Sequence, residues 1–374
     1  MAKLGDIATY INGYAFKPQD WSDEGIPIIR IQDLTGNSYQ ANRYNGEYAS
    51  KYEVNDGDVL ISWSASLGVY IWHGEKAVLN QHIFKVVFDK ERISKDFFVH
   101  QVGLILENAA SDAHGATMKH LTKPVFDALP FYLPPYEKQC EIAEVLDKVT
   151  SLISLRKQQL AKLDELVKAR FVEMFGDPVT NPKGYEKYKL ENLARKISDG
   201  VHSKPDYTET GRPFLSVVNI NKGVINFKNC KYVSEDAYQK MIKSTHPERG
   251  DVLYTKVGAT YGIPAYVDTD IAFCLYVSVC LIKPKREVIN PRFLSLSMEM
   301  PYVKHQADKR IKGIGVPDLH LNQISEFEIL CPPLKEQNIF IYFVERLDGE
   351  KRVVQQSLDK LELMKKALMQ EYFG

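Results

Sequence analysis

The sequence predicts an α+β protein in which two globular α/β domains are separated by two long antiparallel helices that form a coiled coil, with a pseudo-two-fold internal repeat. Three observations lead to this prediction. The chain repeats itself, each repeat ends in a segment with helical spacing of apolar residues, and glycine-bounded β-branched runs fill the remainder. The predicted boundaries are a domain at 1–136, a helix at 137–176, a domain at 177–334 and a helix at 335–374.

The internal repeat is clearest near the end of each half. Residues 133–176 and 331–374 align without a gap at a constant shift of 198, with 12 of 44 positions identical. Upstream, "KLGDIA" matches "KLENLA" and "DGDVLIS" matches "RGDVLYT" at other offsets, as loop insertions would produce. A period this long indicates a duplicated domain, not a solenoid. The end at Gly374, directly after the second repeat, predicts a complete two-half chain.

The globular segments are predicted to mix strands and helices. "GDVLISWSASLGVYIW" and "GDVLYTKVGATYGIPAYV" each start with a Gly-Asp turn and continue as β-branched and aromatic runs. Frequent glycines divide both segments into short strands. We expect one small twisted sheet with a few helices in each domain.

A proline pair precedes each tail, in "LPPYEKQ" at 133–139 and "CPPLKEQ" at 331–337. Adenine methyltransferases carry an Asx-Pro-Pro-aromatic loop, whose first residue accepts hydrogen bonds from an extruded base. Leu133 and Cys331 cannot accept that bond, and the aromatic position holds Tyr136 in one copy but Leu334 in the other. The proline pairs are therefore predicted to mark helix starts, because proline fixes the backbone at the helix entry.

The two tails are predicted to be long helices with one apolar seam each. Apolar residues recur at alternating steps of four and three, interrupted at Arg156 in the first tail and at Lys351 in the second. A helix of 39 residues from Glu137 to Phe175 is about 58 Å long, so the two helices are expected to pack side by side. The predicted seam consists of Ile142, Leu146, Val149, Ile153, Leu160, Leu163, Phe340, Val344, Leu347, Val354, Leu358 and Leu361.

The composition excludes several classes of protein. With 44% hydrophobic and 26% charged residues the chain is an ordinary globular protein, and neither a membrane-length apolar run nor a signal peptide is present, which predicts a cytoplasmic location. The five cysteines form no Cys-x-x-Cys pair and the nine histidines show no ligand spacing, so neither a disulfide framework nor a metal site is predicted.

The net charge of zero averages two unlike domains. Residues 1–136 carry 12 basic and 16 acidic side chains, whereas residues 183–334 carry 22 basic and 17 acidic ones. Neither is basic enough to bind nucleic acid by charge alone, because phosphate neutralisation supplies most non-specific affinity. If the chain handles DNA, it is expected to need a partner that supplies phosphate contacts.

At this point the residues resemble a known family. The order of variable domain, Pro-Pro-x-x-x-Gln, long helix and Phe-Gly ending ("FVEMFGDP" and "LMQEYFG"), occurring twice, resembles the specificity subunits of type I restriction-modification systems over essentially the entire chain. The resemblance implies that two target recognition domains each read half of a bipartite, asymmetric site in double-stranded DNA. The helices would set the spacer and dock two copies of a methyltransferase subunit.

The resemblance also implies a non-catalytic chain. No cofactor is expected in it, since S-adenosylmethionine would bind to the partner methyltransferase subunit. Whether a restriction or translocase subunit also joins stays open.

Candidate DNA contacts in the first domain lie in "NGYAFKPQD", "SWSASLGVY" and "HGATMKH" and at two glutamines that could make bidentate contacts to adenine. For the tryptophan, a place in the core is the more frequent alternative. The candidates are Tyr14, Lys17, Gln32, Ser62, Trp63, Ser64, Ser66, Gln81 and Lys119.

Candidates in the second domain lie in "SDGVHSKPDY", "TKVGATYG" and "VKHQADKRIKGIG". The last segment is the densest basic cluster of the chain and ends in a Gly-x-Gly loop whose amides could approach a phosphate. A plain surface turn and a solvated helix face are the alternatives. The candidates are His202, Lys204, Lys256, Thr260, Tyr261, Lys304, Lys309, Arg310 and Lys312.

Four lysines recur at equivalent positions of the two tails, off the apolar seam: Lys162, Lys168, Lys360 and Lys366. Equal positions suit docking sites for two copies of one partner, although exposed helix lysines are also common.

Two other classes of function compete with the specificity subunit. A methyltransferase or nuclease fused to its own recognition domain is disfavoured, because donor-binding glycines and a Gly-x-x-x-x-Gly-Lys motif are missing. A two-headed adaptor for proteins would confer no sequence-selective DNA protection when methyltransferase subunits are added.

Overall fold

A computed structural model of the chain describes residues 1–36, 42–112, 121–221, 223–311 and 315–374. The chain divides into two compact units, the first formed by residues 1–159 with 354–374 and the second by residues 160–353. Sheets and helices occur in both units, so the predicted α+β class is confirmed. Within the described ranges, no helix combines the length and apolar character needed to span a membrane.

Among its described residues, the first unit contains ten strands, four complete helices, the start of a fifth and the end of the last helix of the chain. It also has two 3₁₀ turns, at Pro18–Asp20 and Ser50–Tyr52. The strands are β1 (Ala2–Lys3), β2 (Thr9–Asn12), β3 (Ile26–Ile29), β4 (Arg43–Tyr44), β5 (Glu53–Val54), β6 (Val59–Ser62), β7 (Gly68–Ile71), β8 (Ala77–Leu79), β9 (Ile83–Val87) and β10 (Pro130–Phe131). The helices are α1 (Leu4–Ile7), α2 (Ile31–Leu34), α3 (Lys95–Asp112), α4 (Lys123–Asp127) and α5 (Tyr136–Phe175).

The second unit has a similar but not identical succession of elements, with a 3₁₀ turn at Val217–Asn219. Its strands are β11 (Lys187–Lys189), β12 (Ala194–Asp199), β13 (Arg212–Leu215), β14 (Ile220–Asn221), β15 (Val224–Ile225), β16 (Lys231–Val233), β17 (Val252–Thr255), β18 (Pro264–Tyr266), β19 (Cys274–Leu275), β20 (Val279–Pro284) and β21 (Glu328–Leu330). Its helices are α6 (Leu190–Leu193), α7 (Glu235–Met241), α8 (Pro291–Glu299), α9 (Pro301–Arg310), α10 (Leu321–Ser325) and α11 (Leu334–Phe373).

The strand order shows the duplication directly. The first unit has an antiparallel sheet in the order β2-β9-β6-β7, and the second has its counterpart in the order β12-β20-β17-β18. Beside it lies a mixed sheet, β4-β3-β8-β5 in the first unit and β16-β13-β19 in the second. Each mixed sheet contains one parallel pair, β3 with β8 in the first unit and β13 with β19 in the second.

Each unit therefore has two main sheets, where the sequence had predicted one small sheet. The parallel pairs join strands that are far apart in the chain. Alternation of apolar and polar residues reveals a strand but not its partner, so this second sheet could not be read from the pattern.

The two long helices begin one residue before the predicted boundaries, at Tyr136 and Leu334, and each has 40 residues. Both therefore start directly after a proline pair. The side chain of Gln139 accepts from the N–H of Ser94 at 2.9 Å and donates to the carbonyl of Pro134 at 2.9 Å. This buried amide fastens the start of α5 to the start of α3.

The second unit repeats this fastening at the start of α11. Gln337 accepts from the N–H of Asn290 at 2.8 Å and donates to the carbonyl of Pro332 at 2.7 Å. The side chain is fully buried. The fold thus explains why both copies of Pro-Pro-x-x-x-Gln contain the glutamine. Its side chain pairs with the backbone N–H just before α3 or α8 and with the carbonyl of the first proline, which would otherwise be buried without partners.

Within the first unit, α5 and α11 run antiparallel. Leu368 and Met369 of α11 pack against the core cluster that contains Ile142 of α5. Further along α5, Arg156 donates from Nε to the Ser357 hydroxyl at 3.2 Å. As the residue number rises along α5, the number of its neighbour on α11 falls.

The second unit shows the same antiparallel pairing. Asp164 of α5 pairs with Lys351 of α11 at 2.6 Å, and the rings of Phe171 and Phe340 lie 5.6 Å apart. Both seam interruptions seen in the sequence thus make polar contacts to the opposite helix within their own unit. Eight predicted seam residues are buried, namely Ile142, Leu146, Val149, Ile153, Phe340, Val344, Val354 and Leu358, and four are half-buried, namely Leu160, Leu163, Leu347 and Leu361.

Candidate functional site

Loops gather at one end of the antiparallel sheet in each unit. In the first unit they follow β2, connect β6 to β7 and precede β9. In the second unit they follow β12, connect β17 to β18 and precede β20. These loops contain most of the candidate residues that the sequence singled out. We define the first loop cluster as residues 12–17, 62–67 and 80–82, and the second loop cluster as residues 199–204, 255–262 and 276–278.

Trp63 ties the first loop cluster together through its backbone. Its N–H donates to the carbonyl of His82 at 3.2 Å, and its carbonyl accepts from the N–H of Leu121 at 3.1 Å. One residue therefore joins the hairpin loop, the loop before β9 and the segment that leads to α4.

Lys256 has the same place in the second loop cluster. Its N–H donates to the carbonyl of Ser278 at 3.0 Å, and its carbonyl accepts from the N–H of Leu319 at 2.9 Å. The two clusters thus share one backbone arrangement, although the residue at its centre is aromatic in one and cationic in the other.

Glycine is required at the root of each cluster. A Cβ on Gly13 would lie 2.0 Å from the carbonyl oxygen of Asn80, and one on Gly200 would lie 2.2 Å from that of Leu275. Any side chain there would displace the backbone behind it. Both glycines lie in loops that the sequence marked as candidates for DNA contact, and the structure shows that their positions are equivalent.

A hydroxyl closes each hairpin loop from within. Ser62 donates to the carbonyl of Ser66, and Thr255 donates to the carbonyl of Thr260 at 2.7 Å. Thr255 also accepts from the N–H of Ile263 at 2.8 Å. Ser62 and Thr255 are both fully buried, so these hydroxyls shape the loops and do not face a ligand.

The side-chain pair beside the root glycine differs between the clusters. In the first, the Trp63 indole N–H donates to Oδ1 of Asn12 at 3.2 Å. In the second, the Lys256 ammonium lies 3.2 Å from Oδ2 of Asp199 and 3.8 Å from Oδ1 of Asp318. The Lys256 and Asp199 side chains are only 6% and 11% exposed. Burial raises the pKa of the Asp199 carboxyl, and the Lys256 ammonium opposes that shift.

Helix α9 supports the outer part of the second hairpin loop. The Tyr261 hydroxyl donates to Oδ1 of Asp308 at 2.6 Å, and the Lys304 ammonium lies 3.6 Å from the centre of the Tyr261 ring. Lys304 also forms an ion pair with Asp308. The Lys304 ammonium and the Tyr261 hydroxyl together lower the pKa of the Asp308 carboxyl. Arg310 is directed inward, donating to the carbonyl of Gln306 at 2.9 Å.

The predicted DNA contacts fall into four groups by exposure. Three are buried and are not available to a ligand in this conformation: Ser62, Ser64 and Lys256. Six are half-buried: Gln32, Trp63, Gln81, Tyr261, Lys304 and Arg310. Seven are exposed: Tyr14, Lys17, Ser66, His202, Lys204, Thr260 and Lys309. Lys119 and Lys312 lie outside the described residues.

Two candidates outside the defined loop clusters differ in their surroundings. Gln32 lies in α2, directly after β3, and its amide faces Arg30. The end of β3 is joined to the first loop cluster, because the N–H of Asn80 donates to the carbonyl of Ile29 at 3.1 Å. Lys309 lies on α9 and is exposed.

The long helices carry the predicted docking lysines Lys162, Lys168, Lys360 and Lys366, all of which are exposed. Across the described part of the chain, no cluster of three or more His, Cys, Asp or Glu side chains could hold a metal ion.

Comparison with known proteins places these two units in context. The family model described as "Type I restriction modification DNA specificity domain" matches residues 1–165 and again 182–363. The two matches correspond to the two halves of the internal repeat. Together they cover most of the chain.

Curated relatives match over nearly the full length. The type I restriction enzyme EcoBI specificity subunit of Escherichia coli is 24% identical over 99% of this chain and 84% of its own length. The MjaVIII specificity subunit of Methanocaldococcus jannaschii is 23% identical over 99% of this chain and 90% of its own length.

Among solved structures, the S subunit of a type I restriction-modification system from M. genitalium superposes with a TM-score of 0.59 at 13% identity. The match covers 100% of this chain and 95% of the other. A chain from a structural study of the assembly and conformational transition of the type I R-M system gives a TM-score of 0.55 at 15% identity, covering 100% and 96%. These likenesses establish the shared fold.

Proposed function

Because the chain belongs to the family of type I restriction-modification DNA specificity subunits, which are non-catalytic, we propose that its two units each read one half of a bipartite and asymmetric DNA site. One observation carries the proposal. The two loop clusters have the same backbone hydrogen bonds around Trp63 and Lys256 but different side chains. Two loop clusters with the same backbone arrangement but different side chains are suited to recognising two different base sequences.

The exposed and half-buried polar side chains of each cluster are the proposed base contacts. In the first cluster these include Tyr14, Ser66 and Gln81, and in the second His202, Thr260 and Tyr261. Hydroxyl, amide and imidazole groups can donate to and accept from base edges in the major groove, and an amide can bind adenine in a bidentate manner.

The long helices are proposed to set the spacer and to dock two copies of a methyltransferase subunit. The supporting observation is that Lys162 and Lys360, and likewise Lys168 and Lys366, occupy equivalent exposed positions. The partner would bring S-adenosylmethionine and most of the phosphate contacts, in keeping with a net charge of zero. The isolated chain is therefore expected to bind DNA weakly.

The test is to produce the chain together with the methyltransferase subunit of its system in a host without other adenine methylation, and then to map methylated adenines in the chromosome. We expect one interrupted motif with two different halves. Methylation without a sequence preference, or a continuous motif, would overturn the proposal. Methyl transfer by the isolated chain would also contradict it.

A further inference from the structure

A loop with one sequence pattern follows the first strand of the antiparallel sheet in both units. Residues 12–18 read "NGYAFKP" and residues 199–205 read "DGVHSKP". Both fit Asn or Asp, then glycine, three variable residues, lysine and proline. We call these two segments the Gly-Lys-Pro loops. Their three variable residues differ at every position.

The backbone fixes the root of each Gly-Lys-Pro loop in the same way. The N–H of Tyr14 donates to the carbonyl of Leu79 at 2.8 Å, and the N–H of Val201 donates to the carbonyl of Leu275 at 2.9 Å. Each also forms a parallel bridge to the loop opposite. With the glycine before it in close contact with that same loop, the direction of the following residues is set by the fold.

The lysine at the far end of each loop is exposed. Neither Lys17 nor Lys204 forms an ion pair with any residue that the structure describes. The nearby Asp20 carboxylate accepts from the backbone N–H of Lys17 at 2.8 Å, so this acid is engaged by the backbone. Both ammonium groups are consequently available to an anion.

Each loop adjoins a tyrosine that carries a further lysine. In the second unit the ammonium groups of Lys204 and Lys231 lie 5.7 Å and 4.2 Å from the centre of the Tyr207 ring. In the first unit Lys51 lies 4.9 Å from the centre of the Tyr52 ring, which itself packs against Tyr14 of the loop. Each loop therefore has a second lysine close to it, although the first domain is acidic overall.

We infer that Lys17 and Lys204 each bind a phosphate of the DNA backbone and anchor their unit, while the exposed residues between glycine and lysine face the bases. These exposed residues are Tyr14 and Ala15 in the first loop and His202 and Ser203 in the second, whereas Phe16 and Val201 pack inward. The inference rests on the proposed function for its ligand. A contact that carries no sequence information can be identical in two readers of different sequences, whereas base contacts must differ. The Gly-Lys-Pro loops of the two units share the lysine, as a phosphate contact would allow, and differ in the three residues before it, as base contacts would require.

The test measures the salt dependence of DNA binding by the complex of the chain with its methyltransferase subunit. Lys17→Ala and Lys204→Ala are each expected to reduce the slope of log Kobs against log salt by about 0.9, because one phosphate contact and its released counterion are lost. Affinity should fall by the same factor for a duplex that carries the motif and for one that does not. Lys17→Arg and Lys204→Arg should retain the slope.

Two lysines at the opposite end of the same sheets provide matched controls. Lys90 follows β9 and donates to the carbonyl of Gly5 at 2.6 Å, and Lys285 follows β20 and donates to the carbonyl of Asn192 at 3.0 Å. Lys90→Ala and Lys285→Ala remove the same charge from the same units. They should leave the slope unchanged.

The outcomes separate this inference from the proposed function. An unchanged slope in the Lys17 and Lys204 variants, or an affinity loss confined to the duplex with the motif, would overturn the phosphate role. If the wild-type complex shows no sequence preference, the proposed function fails, but the slope on any duplex still tests the lysines. Lys17→Gln and Lys204→Gln serve as second variants should an alanine variant fail to fold.

Discussion

At the scale of single residues, the Lys256–Asp199 pair shows how burial changes the meaning of a charged side chain. The sequence suggested Lys256 as a DNA contact, because it follows a strand in a polar loop. In the structure its ammonium is enclosed and paired with two carboxylates. Lys256 occupies the position that Trp63 has in the other unit. The backbone of each residue joins neighbouring loops and stabilises their arrangement.

The change Asp199→Ala should therefore destabilise the second unit. It removes the closer carboxylate and leaves the Lys256 charge buried, for which we expect a loss of about 3 kcal/mol in the free energy of unfolding. Urea unfolding, combined with hydrogen exchange of the β17 amides, would measure the loss.

The matched control for Asp199→Ala is Asp268→Ala in the same unit. Asp268 is 69% exposed and pairs with Arg249, so its removal should cost less than about 1 kcal/mol. Equal effects of the two changes would contradict the assigned role of the buried pair.

The cysteines provide a prediction that depends on pH. Burial raises the pKa of the Cys274 thiol to about 12 and also raises that of Cys280, whereas Cys140 is exposed on α5. The thiolate is the reactive form, and at pH 8 a thiol with a pKa near 12 is ionised to only about one part in ten thousand.

Iodoacetamide at pH 8 should therefore modify Cys140 in the folded chain and leave Cys274 and Cys280 unmodified, as read by mass spectrometry. Reactivity of Cys274 should rise only as the pH approaches its raised pKa. All three should react in denaturant, which controls for the reagent. Rapid modification of Cys274 in the folded chain at pH 8 would show that this core is open.

Residue types and loop positions were readable from the sequence, but exposure was not. Tyr14, Lys17 and Lys204 were selected from polar loops and are exposed, whereas Ser62 and Ser64 were selected on the same grounds and are buried. The difference arises because the hairpin loop folds back on its own strand, and one hydroxyl is used to close it. No local pattern reports such a closure.

At the scale of elements, the long helices were the most predictable part of the chain. Steps of three and four mark a helix face regardless of tertiary context, and the proline pairs fix where each helix starts. The partners of the two polar interruptions were not predictable. Arg156 bonds to Ser357 and Lys351 pairs with Asp164, and both contacts depend on the register of the opposite helix.

The glutamine that fastens each helix start yields the prediction for this scale. Gln337→Ala removes a buried amide that bonds to the N–H of Asn290 and to the carbonyls of Val288 and Pro332, so those groups lose their partners. We expect a loss of about 1 to 3 kcal/mol in the free energy of unfolding of the second unit. Glu345→Ala, at an exposed position of the same helix within the second unit, should be nearly neutral and serves as the control in urea titrations.

A complementary outcome would come from the equivalent position. Gln139→Ala should destabilise the first unit by a similar amount, because Gln139 makes the same two kinds of hydrogen bond there. A loss at one position without a loss at the other would mean that the shared motif does not have one shared structural role.

At the scale of the whole molecule, the duplication explains why the sequence was informative. Because each sequence motif occurs twice, a feature present in both copies can be distinguished from one that occurs by chance. The proline pairs occur in both copies, whereas an aromatic residue follows them in only one. The duplication also extends to features that sequence patterns did not show. The parallel pair of β3 with β8 in the first unit has its counterpart in the pair of β13 with β19 in the second. Neither pair is marked by a local sequence pattern.

Two units with separate cores should also be separable in function, which is the prediction for this scale. Tyr14→Ala alters the first loop cluster and Tyr261→Phe the second, and neither side chain belongs to the core of the other unit. In chromosomal maps of methylated adenine, each variant is expected to relax one half of the motif. The other half and the spacer length should stay as in the wild type. A lost base contact typically costs about 1 to 3 kcal/mol, enough to admit altered bases at one position. If either variant relaxed both halves or changed the spacer, the units would not read DNA independently.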